Sequence, residues 1–258
     1  MYRGYKINKQ TLDQLFLQLG YSKVGNIEEY ISETSRRVQQ SLMNIYDEID
    51  NESLDGERIM QDWFPEINCN VFISHSHNDI QLAKVFAGWL YGNFGITSFI
   101  DSSVWGYAND LLKIIDDKYC KNNASNTYNY IKRNFSTSHI HMMLMAALNK
   151  MIDKTECIIF LNTSSSNVGQ GINDKTLSPW IYGEIETTRI IRKERPKRVR
   201  TFSKGGKFIK EDLNVRYPLD LEHLMDLNSD LLLQWSRKNI SNPLEALDKL
   251  YDLTHLVL

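Results

Sequence analysis

Cys157-Ile158-Ile159-Phe160-Leu161-Asn162 is apolar along almost its whole length, without the in-and-out alternation of a strand that has one wet face. A strand of that kind has to be covered by helices on both faces, the situation of a parallel sheet. Upstream, Asn70-Val71-Phe72-Ile73-Ser74-His75-Ser76-His77-Asn78-Asp79 reads as a short apolar strand breaking into a polar loop. Leu82, Val85, Phe86, Trp89 and Leu90 then recur at three- and four-residue spacing, which marks a helix with one buried face. Asp79 stands near its start to cap free N–H groups, and Gly95 ends it. Thr97-Ser98-Phe99-Ile100-Asp101 is a second short strand. Alternation of strand, helix and strand predicts a parallel α/β sheet. Ligands bind such sheets beyond the carboxyl ends of the strands, so 74–79, 101–107 and 162–184 are expected to converge on one crevice.

The chain has 258 residues, of which 42% are hydrophobic, enough to bury one good core with an appendage. No apolar stretch follows Met1-Tyr2-Arg3-Gly4-Tyr5-Lys6, and no apolar run approaches the roughly 20 residues needed to span a bilayer. A cytoplasmic protein with no membrane partner is expected. Cys69, Cys120 and Cys157 are odd in number and widely spaced, the pattern of reduced, structural thiols. Leu12, Leu15, Phe16 and Leu19 predict an amphipathic helix ended by Gly20, and Ile31, Val38, Leu42, Ile45 and Ile49 a longer one with near-heptad spacing. Residues 1–67 therefore read as a helical N-terminal extension packed on the α/β domain. Residues 216–258 read as C-terminal helices packing on that domain, the last started by Asn242-Pro243 and running through Leu247 and Tyr251.

About 50 residues separate the second strand's loop from the apolar strand at Cys157. They hold a helix through Leu111, Leu112 and Ile115 and another through Ile140, Met143, Leu144, Ala147, Leu148 and Met151. Lys121 to Ser138, rich in Asn, Ser, Thr and Tyr, reads as a linking segment between them, so that about 106–152 form a helical insertion. Arg189 to Lys210 carries ten Lys or Arg against the single acid Glu194, in a chain of formal net charge −2. Such a run can meet phosphates, but Ser203-Lys204-Gly205-Gly206-Lys207 lacks stacking aromatics. It is read as a solvated basic loop, and no nucleic-acid partner is expected.

Ser178-Pro179-Trp180-Ile181-Tyr182-Gly183-Glu184 opens a helix on which Trp180 and Glu184, four residues apart, share one face. On spacing alone, this is better explained by a core tryptophan and a solvated glutamate. Taken with Val71-Phe72-Ile73-Ser74-His75-Ser76 and Phe99-Ile100-Asp101, however, the segment resembles a Toll/interleukin-1 receptor (TIR) domain over residues 68–215. The first two fragments resemble the family's first- and second-strand signatures, and Trp180 to Glu184 its tryptophan-to-glutamate helix motif. The loop Asp101-Ser102-Ser103-Val104-Trp105-Gly106-Tyr107-Ala108-Asn109-Asp110 lacks the Arg-Asp and Pro-Gly that many members carry there.

The resemblance implies a flavodoxin-like parallel sheet flanked by helices. It further implies cleavage of NAD+ between nicotinamide and ribose, as in the bacterial anti-phage branch of the family, with Glu184 catalytic. Ser74, His75, Ser76, Asp101, Ser102, Trp105, Tyr107 and Trp180 are the substrate-binding candidates. NAD+ is then the substrate and no separate cofactor or metal is implied; the implied partners are further copies through TIR–TIR contacts, a phage-derived trigger and a downstream effector. Two alternatives stand beside it. One is a non-catalytic TIR scaffold that recruits partners. The other is a metallohydrolase, because His75-Ser76-His77-Asn78-Asp79 has the His-x-His-x-Asp spacing of metallo-β-lactamase-like enzymes and His139 and His141 follow. Against the latter, Ile80 follows Asp79 where that family usually has another histidine.

Overall fold

The computed structural model describes residues 1–19, 55–101, 108–122, 127–168, 175–194 and 217–255. The chain divides into two units, the first gathering Met1–Ile27, Asn68–Ile100 and Ile152–Leu258, the second Glu28–Ile67 and Asp101–Met151.

The first unit is built on a parallel five-stranded sheet. Its strands are β1 (Arg3–Asn8), β2 (Val71–Ser74), β3 (Ser98–Phe99), β4 (Cys157–Asn162) and β7 (Met225–Asp226), in the order β3-β2-β4-β1-β7. β4 is the apolar hexapeptide, and its residues Cys157 to Leu161 are all fully buried. Each such apolar side chain contributes about 1.5–3 kcal/mol when removed from water, so β4 anchors the sheet.

Both of its faces are covered. On one, Tyr5 and Thr254 share a hydrogen bond of 3.0 Å, and Arg3 Nη1 donates to the Tyr251 carbonyl at 3.2 Å and to Thr254 Oγ1 at 2.9 Å. These contacts bring α8 (Pro243–His255) over β1. On the other face Phe160 packs with Ile181 and Ile185 of α6 (Pro179–Ile190) and with Leu219, Leu221 and Leu224. Gly4 lets Leu224 come close, because a Cβ at that position would stand 2.5 Å from Leu224 Cδ2 and the leucine would have to shift.

The first residues depart from the helical extension expected of the N-terminus. Arg3–Asn8 is a strand in the interior of the sheet, paired Arg3↔Cys157 through Asn8↔Asn162 with β4 and Tyr5↔Met225 with β7. The signal was a short period-2 pattern: Tyr5 and Ile7 buried, Lys6 and Asn8 less so. The helix after it does form. α1 (Lys9–Leu19) buries Leu12, Leu15 and Phe16, and Asn8 Oδ1 accepts from Thr11 N at 2.8 Å at its start. The expected helix through Ile31 and Ile49 lies outside the described residues. Leaving β1 aside, the sheet follows the flavodoxin-like order, with the N-terminal strand lying in its fourth place.

Helix α3 (Ile80–Phe94) buries Phe86, Trp89, Leu90 and Phe94 and closes on Gly95, whose φ of 67° is the left-handed cap that glycine adopts without strain. Trp89 meets Phe86, Phe94 and Trp235, and Phe94 stacks on Trp235 at 4.1 Å. Trp235, on α7 (Ser229–Ser236), donates its indole N–H to the Ala246 carbonyl at 2.8 Å, tying α7 to α8. Asn242 Oδ1 accepts from Leu244 N and Glu245 N and starts α8 at the expected Asn-Pro step. A short antiparallel pair, β5 (Lys175–Thr176) with β6 (Tyr217–Pro218), lies beside the sheet in sequence but is separate from it.

The second unit is mainly helical where it is described, with α2 (Gly56–Trp63), α4 (Ala108–Ile115) followed by a π-helical turn Asp116–Cys120, and most of α5 (Tyr130–Lys154), beside one antiparallel bridge, Lys121↔Tyr128. α5 starts well before the expected Ile140 stripe, inside the segment read as a linker. Asn129 Oδ1 caps Lys132 N at 3.0 Å, and low helix propensity of polar residues does not prevent a helix once a cap and an apolar stripe are present. No helix of the described residues is long and apolar enough to cross a membrane.

Candidate functional site

The chain order along the sheet reverses between β2 and β4, so the crevice at their carboxyl ends is the topological switch point. Ser74 is the last residue of β2, fully buried and opposite Phe160 of β4. Above it runs α6, started as expected by Ser178, whose Oγ accepts from Ile181 N at 3.3 Å, with Pro179 in the first turn. Ile181, Glu184, Ile185 and Thr188 are the buried stripe of this helix. Glu184 therefore faces inward, only 2% exposed, and its Oε2 accepts the Ser74 hydroxyl at 2.6 Å. A carboxylate so placed loses most of its hydration, a cost of several kcal/mol that hydrogen bonds must offset. Trp180, one turn earlier, is half-buried.

The loop after β2 adds polar groups. His75 is 6% exposed, and its Nδ1 lies 3.1 Å from the Ile73 carbonyl. A carbonyl only accepts, so Nδ1 carries a proton toward it. Ser76 is half-buried and precedes a single 3₁₀ turn, His77–Asp79. Asp79 does not cap α3 with its side chain. Its Oδ2 instead accepts the Thr163 hydroxyl at 2.5 Å, joining the loop after β2 to the loop after β4. Within that second loop Thr163 N donates to Ser166 Oγ at 2.8 Å, Ser166 Oγ donates to the Leu161 carbonyl at 2.8 Å, and Asn167 Nδ2 donates to Asn162 Oδ1 at 3.1 Å.

Ser74, His75, Ser76, Glu184 and Trp180 thus belong to the strand-end region and the helix above it. Asp101 falls in the second unit, while Ser102, Trp105 and Tyr107 lie outside the described residues. Sequence reasoning included 162–184 only as a segment and singled out neither Thr163 nor Ser166. The signal was there, in the hydroxyl run Thr163-Ser164-Ser165-Ser166 directly after an apolar strand.

Of the other candidates, His77 is exposed, and His139 and His141 are exposed positions of α5. Among the described residues no three His, Cys, Asp or Glu side chains gather as a metal-ligand set. The cysteines are free thiols; burial pushes Cys69 up to about 12 and raises Cys157 still further, which leaves both poor nucleophiles. Arg189, first residue of the basic run, pairs with Glu186 at 2.8 Å and Asp220 at 3.1 Å, and the run from residue 195 lies outside the described residues. Comparison with family models, curated proteins and solved structures returns no match to this chain.

Chemically, the region offers one buried carboxylate, one imidazole, an indole and several hydroxyls around a parallel-sheet switch point. Such a set suits a ligand that develops positive charge near the carboxylate and presents hydroxyls or phosphates to the loops.

Proposed function

We propose that this chain is a TIR-type NAD+ glycohydrolase or cyclase, which breaks the bond between nicotinamide and ribose to deplete NAD+ or to make an ADP-ribose-derived signal in bacterial anti-phage immunity. The observation that carries the reading is Glu184, a buried carboxylate held by Ser74 at the carboxyl end of β2. It sits in the tryptophan-to-glutamate motif on which the family resemblance rests.

As the C–N bond lengthens, its electron pair leaves with nicotinamide, and the ribose C1′ takes on oxocarbenium character. A fixed carboxylate in a water-poor site stabilises that charge without reorganising. Ser74 is a positioning residue, holding one carboxylate oxygen in place. His75 and Ser76 border the nucleotide, and Trp180 stacks on a ring or walls off water. Water adding to C1′ yields linear ADP-ribose; the adenine of the same molecule yields a cyclic product.

Self-association belongs to the proposal, because a neighbouring copy that covers the crevice excludes water and strengthens the carboxylate's field. A cytoplasmic setting, where NAD+ is abundant, goes with it. The test is incubation of the full chain with NAD+ over a range of protein concentrations, with and without a crowding agent, and assay of released nicotinamide. Specific activity is expected to rise with concentration. No nicotinamide release even under crowding contradicts the enzymatic reading, and full specific activity in a demonstrably monomeric sample contradicts the assembly requirement.

A further inference from the structure

The helical unit holds a cavity of about 540 Å³ that the NAD+ reading does not use. That volume falls within the roughly 300–1,000 Å³ typical of small-molecule sites. One wall is α5, on which Lys132, Phe135, Ser136, His139 and Met143 recur at three- and four-residue spacing and therefore stand on one side. Ile59 of α2, Ile115 of α4 and Cys120 of the π-helical turn supply apolar surface opposite.

The polar groups of this cavity are arranged unequally. Ser136, 8% exposed, gives its hydroxyl proton to Asp116 Oδ1 at 2.5 Å, and Arg133 Nε donates to Asp116 Oδ2 at 2.8 Å. Asp116, itself 3% exposed, is thus matched by Arg133 and does not line the cavity. Among the described residues Lys132 and His139 line it and no acidic side chain does. At the same surface Ile131 and Phe135 are 78% and 70% exposed, an unusual placement for side chains of that size. The walls are therefore apolar, and the ionisable side chains of Lys132 and His139 favour an anionic head.

We propose that this cavity is a binding site for a small amphiphile with an apolar body and one carboxylate. The body lies against Phe135, Met143 and Ile115, and the carboxylate reaches Lys132 and His139. A half-open apolar slot fits a flexible chain, and the Lys132 ammonium selects an acid over the matching alcohol by a charge-assisted hydrogen bond, with the His139 ring as a further donor.

Dodecanoate and 1-dodecanol, each kept below its aggregation limit, serve as probes for titration calorimetry on the full chain. Saturable binding of one dodecanoate per chain is expected, with dodecanol at least tenfold weaker. Lys132→Glu combined with His139→Glu, both at exposed positions and checked for fold by circular dichroism, is expected to weaken dodecanoate at least tenfold while leaving dodecanol unchanged. Met143→Trp, checked for fold by circular dichroism, is expected to weaken both by filling the slot. Absence of saturable binding, equal affinity for the two probes, or dodecanoate binding indifferent to the charge-reversed variant each overturns the proposal. So does a concentration-dependent dimer that Phe135→Asp dissociates, since the face then belongs to a second copy of the chain.

Discussion

Thr188 has one hydroxyl proton and gives it to the Ile185 carbonyl at 2.7 Å, so it accepts the Nε2–H of His223 at 2.7 Å. The other ring nitrogen, Nδ1, is buried with no hydrogen-bond partner, which leaves a second proton nowhere to bond. Burial, and then the nearby Lys193 and Arg189, push His223 down to about 4 from its ordinary 6.5. Between those values the unfolded chain binds a proton that the folded chain excludes. Stability is therefore at its full value above about pH 6.5 and falls as the pH drops toward 4. The point matters to the site because Thr188 is on the helix that carries Glu184. His223→Gln keeps a donor for Thr188 and removes the titration, so its urea midpoint is expected to fall less than that of the wild type between pH 7 and 4.5. An equal fall in both proteins refutes this assignment.

At the scale of elements, strands and helices were legible where their pattern was long or strongly punctuated. The apolar hexapeptide of β4, the Phe86–Leu90 stripe ending at Gly95, the Ser178-Pro179 start of α6 and the Asn242-Pro243 start of α8 all form as read. β1 was not legible, because Arg3-Gly4-Tyr5-Lys6-Ile7-Asn8 offers only two large apolar residues and its partners β4 and β7 are remote in sequence. The consequence is energetic. β1 pairs on both sides, so its loss leaves the backbone groups of β4 along one edge without partners and uncovers Tyr5's neighbours under α8. A chain beginning at residue 68, the boundary that the family resemblance suggests, is expected to be unfolded or insoluble. Adding back residues 1–67 in the same chain restores a cooperative unfolding transition. A soluble, cooperatively folding chain from residue 68 contradicts the place of β1 in the sheet.

For the molecule as a whole, the site depends on bringing together residues 110 apart in sequence, Ser74 and Glu184. Sequence pattern could assign each to a strand end and a helix face. It could not show that Glu184 is buried, because helical spacing is the same for an inward and an outward glutamate. Nor could it find the Asp79–Thr163 link, since Asp79 reads equally well as a helix cap, and only the reversal of strand order sets the two loops side by side. What the fold adds is the switch point at which a carboxylate, an imidazole and a run of hydroxyls meet. The central claim is that the Glu184 carboxylate stabilises the ribosyl cation, and the most direct measurement is nicotinamide release from NAD+ by wild type and Glu184→Gln under the same assembled conditions. Glutamine keeps the volume and can still accept from Ser74, but it removes the charge. The account predicts a folded variant, with circular dichroism and oligomeric state unchanged, whose turnover is lower by about a hundredfold or more, the rate equivalent of about 3 kcal/mol. A folded Glu184→Gln protein that releases nicotinamide at the wild-type rate contradicts it.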